Sequence, residues 1–176
     1  MSLNAAWRRL PLALTGLALA GLGVSSYLSY THLGKKTIVC GGLGECDLVN
    51  SSDYAYIGGI PVSFLGLALY GALLGAAVLW ALDQQDERRP ILYWGLALTG
   101  AGYAGYLTYV ELEILHAICV WCVVSAIILT LSLVLSTAHL LWAPGPEEEE
   151  GAAVATTART TSRPTRGRQR RPSAPR

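Results

Sequence analysis

The chain has 176 residues, 52% apolar and 14% charged, with a formal net charge of +1. This is the length of one domain, and a near-neutral balance by itself points to no class of partner. The grouping of the apolar residues argues against an ordinary soluble domain. Four stretches approach the 18 or more apolar residues that cross a bilayer, and a soluble helix of that length is rarely apolar all round.

The first stretch, Leu10–Tyr30, follows Arg8 and Arg9. Its apolar run exceeds the roughly 7–15 residues of a signal-peptide core and has no clear small-x-small cleavage site, so a retained helix is expected. The loop from about Thr31 to Gly59 is too long for a simple turn, and loops of that length usually have a function. It carries Cys40 and Cys46, separated by a segment containing Gly41, Gly42 and Gly44 that would let the two sulfurs meet or part. These glycines lack the Lys-Ser/Thr of a phosphate-binding loop, so no nucleotide site is read here. Asp47–Ser51 is expected to form a short helical turn. Gly58, Gly59, Ile60 and Pro61 break the chain and start the second stretch, Pro61–Leu82, with proline in the first turn.

The third stretch, Ile91–Val110, follows a short turn holding Arg88 and Arg89. Tyr103, Tyr106 and Tyr109 occupy its far half, either bordering a ring-binding pocket or forming an aromatic belt. A brief connection containing Glu111, Glu113 and His116 follows. The two glutamates are expected to face solvent rather than to relay protons. His116 is expected to be an interfacial histidine rather than a partner of Cys119. The fourth stretch, about Ile118–Trp142, opens on Cys119-Val120-Trp121-Cys122. After it the composition turns to proline, an acidic run at Glu147–Glu150, and Thr, Ala and Arg. Such a segment cannot bury enough surface to fold. Residues 1–143 are therefore read as one membrane domain, and 144–176 as a disordered tail.

Charge sets the orientation. Arg8 and Arg9, Arg88 and Arg89, and seven arginines of the tail fall on one side of four spans, against Lys35 and Lys36 on the other. The positive-inside rule places both termini in the cytoplasm and the Cys40–Cys46 loop outside. Trp7, Trp80, Trp94 and Trp142 fall at the same cytoplasmic interface, where amphipathic rings settle. The outer side is the compartment that permits disulfides.

All four cysteines belong to two pairs. A zinc site would need four converging thiolates, and only one pair has the C-x-x-C spacing of a zinc knuckle, so no metal is expected. Two inert disulfides are the bland alternative, but a C-x-x-C bridge is tight and readily reduced. At a helix N-terminus, Cys119 and Cys122 would have a stabilised thiolate, at the edge of lipid where quinones are the available carriers. The pattern fits a thiol–disulfide relay. One mobile pair meets a soluble partner, and one fixed pair meets a quinone.

Cys46-Asp47-Leu48-Val49-Asn50-Ser51-Ser52, the run Gly59 to Gly66, and Tyr106-Leu107-Thr108-Tyr109 leading into Cys119 and Cys122 resemble the vitamin K epoxide reductase family, its bacterial members above all. The resemblance covers about residues 10–142. It implies an all-α membrane protein, a four-helix bundle around a quinone with a short extra helix in the outer loop. It implies that Cys119 and Cys122 are the active-site pair, Cys122 facing the quinone, and that Cys40 and Cys46 are the loop pair, Cys46 exchanging with Cys119. Ser52 matches a loop Ser/Thr beside the quinone. The implied activity passes electrons from a separate thioredoxin-like or DsbA-like protein to ubiquinone or menaquinone, in the inner membrane of a bacterium. Val62 and Ala126 stand where animal members carry Asn and Tyr that hold vitamin K, which argues against the alternative, reduction of a quinone epoxide.

Overall fold

A computed structural model describes residues 3–34, 37–40 and 45–142. The expected disordered tail, Lys35 and Lys36, and Gly41, Gly42 and Gly44 lie outside the described residues. Four long helices dominate: α1 (Leu3–Leu33), α3 (Val62–Leu82), α4 (Arg88–Tyr109) and α5 (Val120–Trp142). A short helix, α2 (Cys46–Ser51), lies in the loop after α1, where a helical turn is expected. Around the ring, α1 packs on α3, α3 on α4, α4 on α5 and α5 back on α1.

Several boundaries differ from the sequence reading, α4 for instance starting at Arg88 rather than Ile91. The first helix extends past Leu10–Tyr30 at both ends, because backbone bonding continues through the arginines and through Thr31, whose hydroxyl donates to the Leu28 carbonyl at 2.9 Å. Gly58 and Gly59 do more than break the chain. Both have positive φ, 58° and 83°, as a two-residue hairpin turn of the primed type requires. They join β1 (Tyr56–Ile57) to β2 (Ile60–Pro61), with Tyr56 opposite Pro61 and Ile57 opposite Ile60. Pro61 then immediately precedes α3, where its missing N–H costs no helical bond.

Among the described residues, three helical segments, Trp7–Leu33, Val62–Leu82 and Val120–Trp142, are long and apolar enough to cross a membrane. Only 39, 28 and 22% of their apolar windows are buried inside the protein. Most of that apolar surface therefore faces outward, which suits lipid and not water. α4 is not among the three. It has a similar length, but Gly95, Thr99, Gly100, Gly102, Tyr103, Gly105, Tyr106, Thr108 and Tyr109 dilute its apolarity.

Inside the ring, the buried core joins Leu14 and Ala18 of α1, Tyr70, Leu73, Ala77 and Trp80 of α3, Tyr93 and Ala97 of α4, and Leu129 of α5. Small residues let the helices approach, as is usual where lipid supplies no hydrophobic drive. A Cβ at Gly21 would overlap the ring of Tyr70. That ring cannot easily withdraw, because it is buried and its hydroxyl is 2.8 Å from the Ser125 hydroxyl. At the end where α1 begins, the ring of His139 meets Trp7 and Trp80 at centroid distances of 5.7 and 4.7 Å. The cysteines occupy the opposite end.

Gly21→Ala is expected to destabilise the bundle by about 1–3 kcal/mol through overpacking. Gly16→Ala, with nothing within 4 Å of the added methyl, should leave stability unchanged or slightly raised. Denaturant titrations of the two variants in detergent micelles check this. Equal midpoints would refute the close-approach argument.

Candidate active site

The segment before Cys40 is pinned by side chains from three elements. The Ile38 amide donates to Asp47 Oδ1 of α2 at 2.8 Å. The Val39 amide donates to the Tyr27 hydroxyl of α1 at 3.1 Å, and the Val39 carbonyl accepts from Trp121 Nε1 of α5 at 3.1 Å. The rings of Tyr27 and Trp121 lie 4.9 Å apart. An irregular strand has no ladder to satisfy its backbone. Here two aromatic rings do so, and in doing so they fix where Cys40 sits.

Cys40 and Cys46 form a disulfide, with Cα atoms 6.2 Å apart. Cys46 opens α2 and is buried. The neighbouring Glu45 amide donates to the Ile118 carbonyl at 3.1 Å, which ties this loop to the residue before Cys119. Cys46 and Cys119 fall in one buried cluster, with Cys40, Cys122, Tyr27 and Trp121 packed against it. Cys119 and Cys122 are free thiols. Cys119 immediately precedes α5, and its carbonyl accepts the Val123 amide at 3.0 Å.

One residue departs sharply from its expected place. Glu111 is not a solvent-facing charge: it is 4% exposed, and its Oε2 accepts the Cys119 amide at 3.0 Å. Two backbone features bring it there. After α4 the helix widens into a π-turn, Val110–Ile114, and His116 then takes a positive φ of 49°. A left-handed turn at a non-glycine residue costs about 1–3 kcal/mol. It reverses the chain so that Ala117 can donate to the Glu111 carbonyl at 3.0 Å. Burial holds the Glu111 carboxyl above the usual carboxylate range, while the bond from the Cys119 amide pulls the other way. Glu113 and the His116 side chain are exposed.

Cys122 lies on the wall of a cavity of about 290 Å³ between the helices. Leu28, Val62, Leu69, Leu107 and Leu129 give it apolar sides, and Ser52, Asn50 and Glu111 add polar groups. Apolar walls with a few directed polar groups suit the flat, mostly apolar ring of a quinone. The Ser52 hydroxyl donates to the Val49 carbonyl at 2.7 Å, closing α2, and keeps lone pairs free. Val62 lines the cavity, and Ala126 is not among its walls. Tyr103 lines it too, whereas Tyr106 and Tyr109 are exposed, so the three tyrosines divide between pocket and surface.

The sequence profile of the vitamin K epoxide reductase family matches residues 12–137. The chain belongs to this family. The match runs from α1 into α5 and takes in both cysteine pairs. Vitamin K epoxide reductase family proteins are oxidoreductases with membrane helices and quinone-linked disulfide chemistry, and the apolar helices, the buried Cys119 thiol and the half-buried Cys122 thiol described above accord with that. All five sequence-selected residues lie at one end of the bundle: the four cysteines pack together, and Ser52 shares the cavity wall with Cys122. Sequence reasoning missed Tyr27, Asp47 and the burial of Glu111. The available signal for Glu111 was a carboxylate between Val110 and Leu112, directly after an apolar helix.

If Tyr27 and Trp121 fix the Cys40 segment, Tyr27→Phe or Trp121→Phe removes one neutral hydrogen bond, worth about 1 kcal/mol or roughly a fivefold change in population. In the dithiol-to-quinone transfer proposed below, the step from a protein dithiol should slow by that factor in each variant. Transfer from a small dithiol able to reach Cys119 and Cys122 directly should be unaffected. Stopped-flow comparison of the two donors checks this, and equal slowing with both would show that the rings act elsewhere.

Proposed function

We propose that this protein is a protein-dithiol:quinone oxidoreductase that supports disulfide formation outside the cytoplasm. The observation that carries the reading is the placement of a closed Cys40–Cys46 disulfide against the dithiol Cys119 and Cys122, with Cys122 on the wall of an apolar cavity.

The exchange steps follow from thiolate attack through mixed disulfides. A reduced thioredoxin-like or DsbA-like protein attacks the loop disulfide at Cys40, which is half-buried while Cys46 is buried. The partner leaves oxidised, and Cys40 and Cys46 become a dithiol. Cys46 then attacks Cys119 of a Cys119–Cys122 disulfide, and Cys122 leaves as thiolate. Cys40 displaces Cys119, and the loop disulfide closes again. The arrangement described above, loop pair closed and inner pair reduced, corresponds to the state after this transfer. The inner dithiol then delivers two electrons to a quinone in the cavity. Two pairs are needed because a folded protein cannot enter a cavity of this size.

The membrane placement belongs to the same reading. All four long helices cross the inner membrane of a bacterium, α4 included, because it has the length of a span, packs between α3 and α5, and comes close to Leu69 and Leu129 at Gly100. The arginine bias puts both termini in the cytoplasm and α2 outside. The acceptor is ubiquinone or menaquinone. Apolar Val62 at the cavity wall offers no hydrogen bond to an epoxide ring system.

Purified protein given a reduced DsbA-like partner should reduce quinone. Cys122→Ser should lower this to the uncatalysed background. Cys46→Ser should block electrons from the protein partner while sparing those from a small dithiol. A folded wild type inactive across several partners and quinones would sink the reading, as would a Cys122→Ser variant that keeps full activity.

A further inference from the structure

Glu111 is the one carboxylate among the described residues that line the cavity, and the relay above makes no use of it. Its Oε2 holds the Cys119 amide. Its Oε1 has no hydrogen-bond partner among the described residues, although the carboxylate interacts with the Cys122 side chain. A buried carboxylate with one unpartnered oxygen is costly. Capping the start of α5 requires only an acceptor, which an amide or a hydroxyl supplies as well. An ionisable group in that position calls for a different explanation. The titratable groups around it are Cys119, just before α5, and Cys122 of α5, which interact with it, and the phenols of Tyr54, Tyr70 and Tyr103, which share its cavity. No cation is among the described residues of that wall.

We propose that Glu111 is a catalytic base that takes the proton of the Cys122 thiol and returns it to a quinone oxygen as the electrons move. The inference rests on the proposed function, in which Cys122 faces the quinone. In the step, the S–H bonds of Cys119 and Cys122 break and one S–S bond forms between them. Two electrons pass to the quinone. The Cys122 proton reaches one quinol oxygen by way of Glu111. The Cys119 proton leaves to the outer water, and the second quinol proton is drawn from that water. Separating charge within apolar walls is unfavourable, so a base beside the thiol lets proton and electrons move together. The base acts in its ionised form, so the step speeds up as pH rises through the carboxyl's titration and then levels off.

The test uses the full chain in detergent, comparing wild type, Glu111→Gln, Glu111→Asp and Glu113→Gln. Glu111→Gln keeps an acceptor for the Cys119 amide and removes the titration. The first measurement is single-turnover quinol formation against pH. The second needs no quinone: maleimide alkylation of Cys122 against pH in a Cys119→Ser background, read by mass spectrometry. Glu111→Gln should slow quinol formation on the order of 100-fold or more and flatten its rise with pH. The same change should speed alkylation, because a neighbouring negative charge that opposes the thiolate is gone. Glu111→Asp should keep the pH-dependent rise, and Glu113→Gln, on the exposed side of the same turn, should match wild type in both. An unchanged rate and pH profile in Glu111→Gln overturns the proposal. Acceleration of both measurements together also overturns it, since that describes a charge that only repels. If Glu111→Gln loses its cooperative unfolding, Glu111→Asp decides, and a flat profile there overturns the proposal. A wild type that reduces no quinone overturns the proposed function and this inference with it. An active wild type with an unchanged Glu111→Gln overturns this inference alone.

Discussion

The hydrogen bond from the Cys119 amide to Glu111 organises the cysteine end of the bundle. A helix beginning at the edge of lipid has amide groups with no partner in its first turn, and hydrocarbon offers none. Here one such amide, that of Cys119, is met by a side chain from the π-turn that follows the preceding helix. The reach is unusual: an ordinary α-helix followed by a short loop would not return the carboxylate to that point. The π-turn at Val110–Ile114 and the left-handed His116 make the return. Because the local backbone cost is met at the turn, the start of α5 is fixed relative to α4. The loop pair is then fixed relative to both, through the Glu45 amide on the Ile118 carbonyl.

The opposite end of the molecule holds the helices without such devices. There Trp7, Trp80, Tyr93 and His139 pack as rings against one another, and Gln84 of the α3–α4 turn donates to the Arg8 carbonyl at 3.1 Å. Arg89 pairs with Asp83 at 3.0 Å and with Asp86 at 3.3 Å. These are partly exposed contacts, of a kind that contributes little each. They close the turn more than they stabilise the bundle. Between the ends, small residues such as Gly21 and Gly100 set helix separation, and the outward apolar faces are left to lipid. Rigid packing through the middle transmits the position of one end to the other, so an α5 fixed by its core contacts presents Cys122 to the cavity at a defined depth.

Much of this was legible in the sequence, and the parts that were not share a cause. Apolar length marks α1, α3 and α5 directly, because a span is a property of composition. The helical turn after Cys46 and the break at Gly58 and Gly59 follow from local residue preferences, and two adjacent glycines suffice for a hairpin whose partner strands are only two residues each. The cysteine pairing logic needed only spacing and side of the membrane. Glu111 was misplaced because its burial depends on a π-turn and on one positive φ at His116, neither of which has a residue signature: the Glu, Leu and His there are ordinary for a connection. The Tyr27–Val39–Trp121 contact was invisible for a different reason. It joins positions 12 and 82 residues apart, and no periodicity links them.

The burial of Cys46 and Cys119 bears on how a relay can run without leaking. Thiol–disulfide exchange is not selective by chemistry alone, since any accessible thiolate attacks any accessible disulfide. Selectivity must then come from access. Cys40 is the sulfur of the loop pair nearer the surface, while Cys46 and Cys119 are enclosed by Val24, Leu28, Ile38 and Val49. A soluble thiol can reach the first and not the second. In the proposed relay the order of encounters then follows depth, from surface sulfur to buried sulfur to cavity wall. Hydrogen bonds of Ile38 and Val39 with Asp47, Tyr27 and Trp121 hold that segment over the buried sulfurs, as the proposed relay requires.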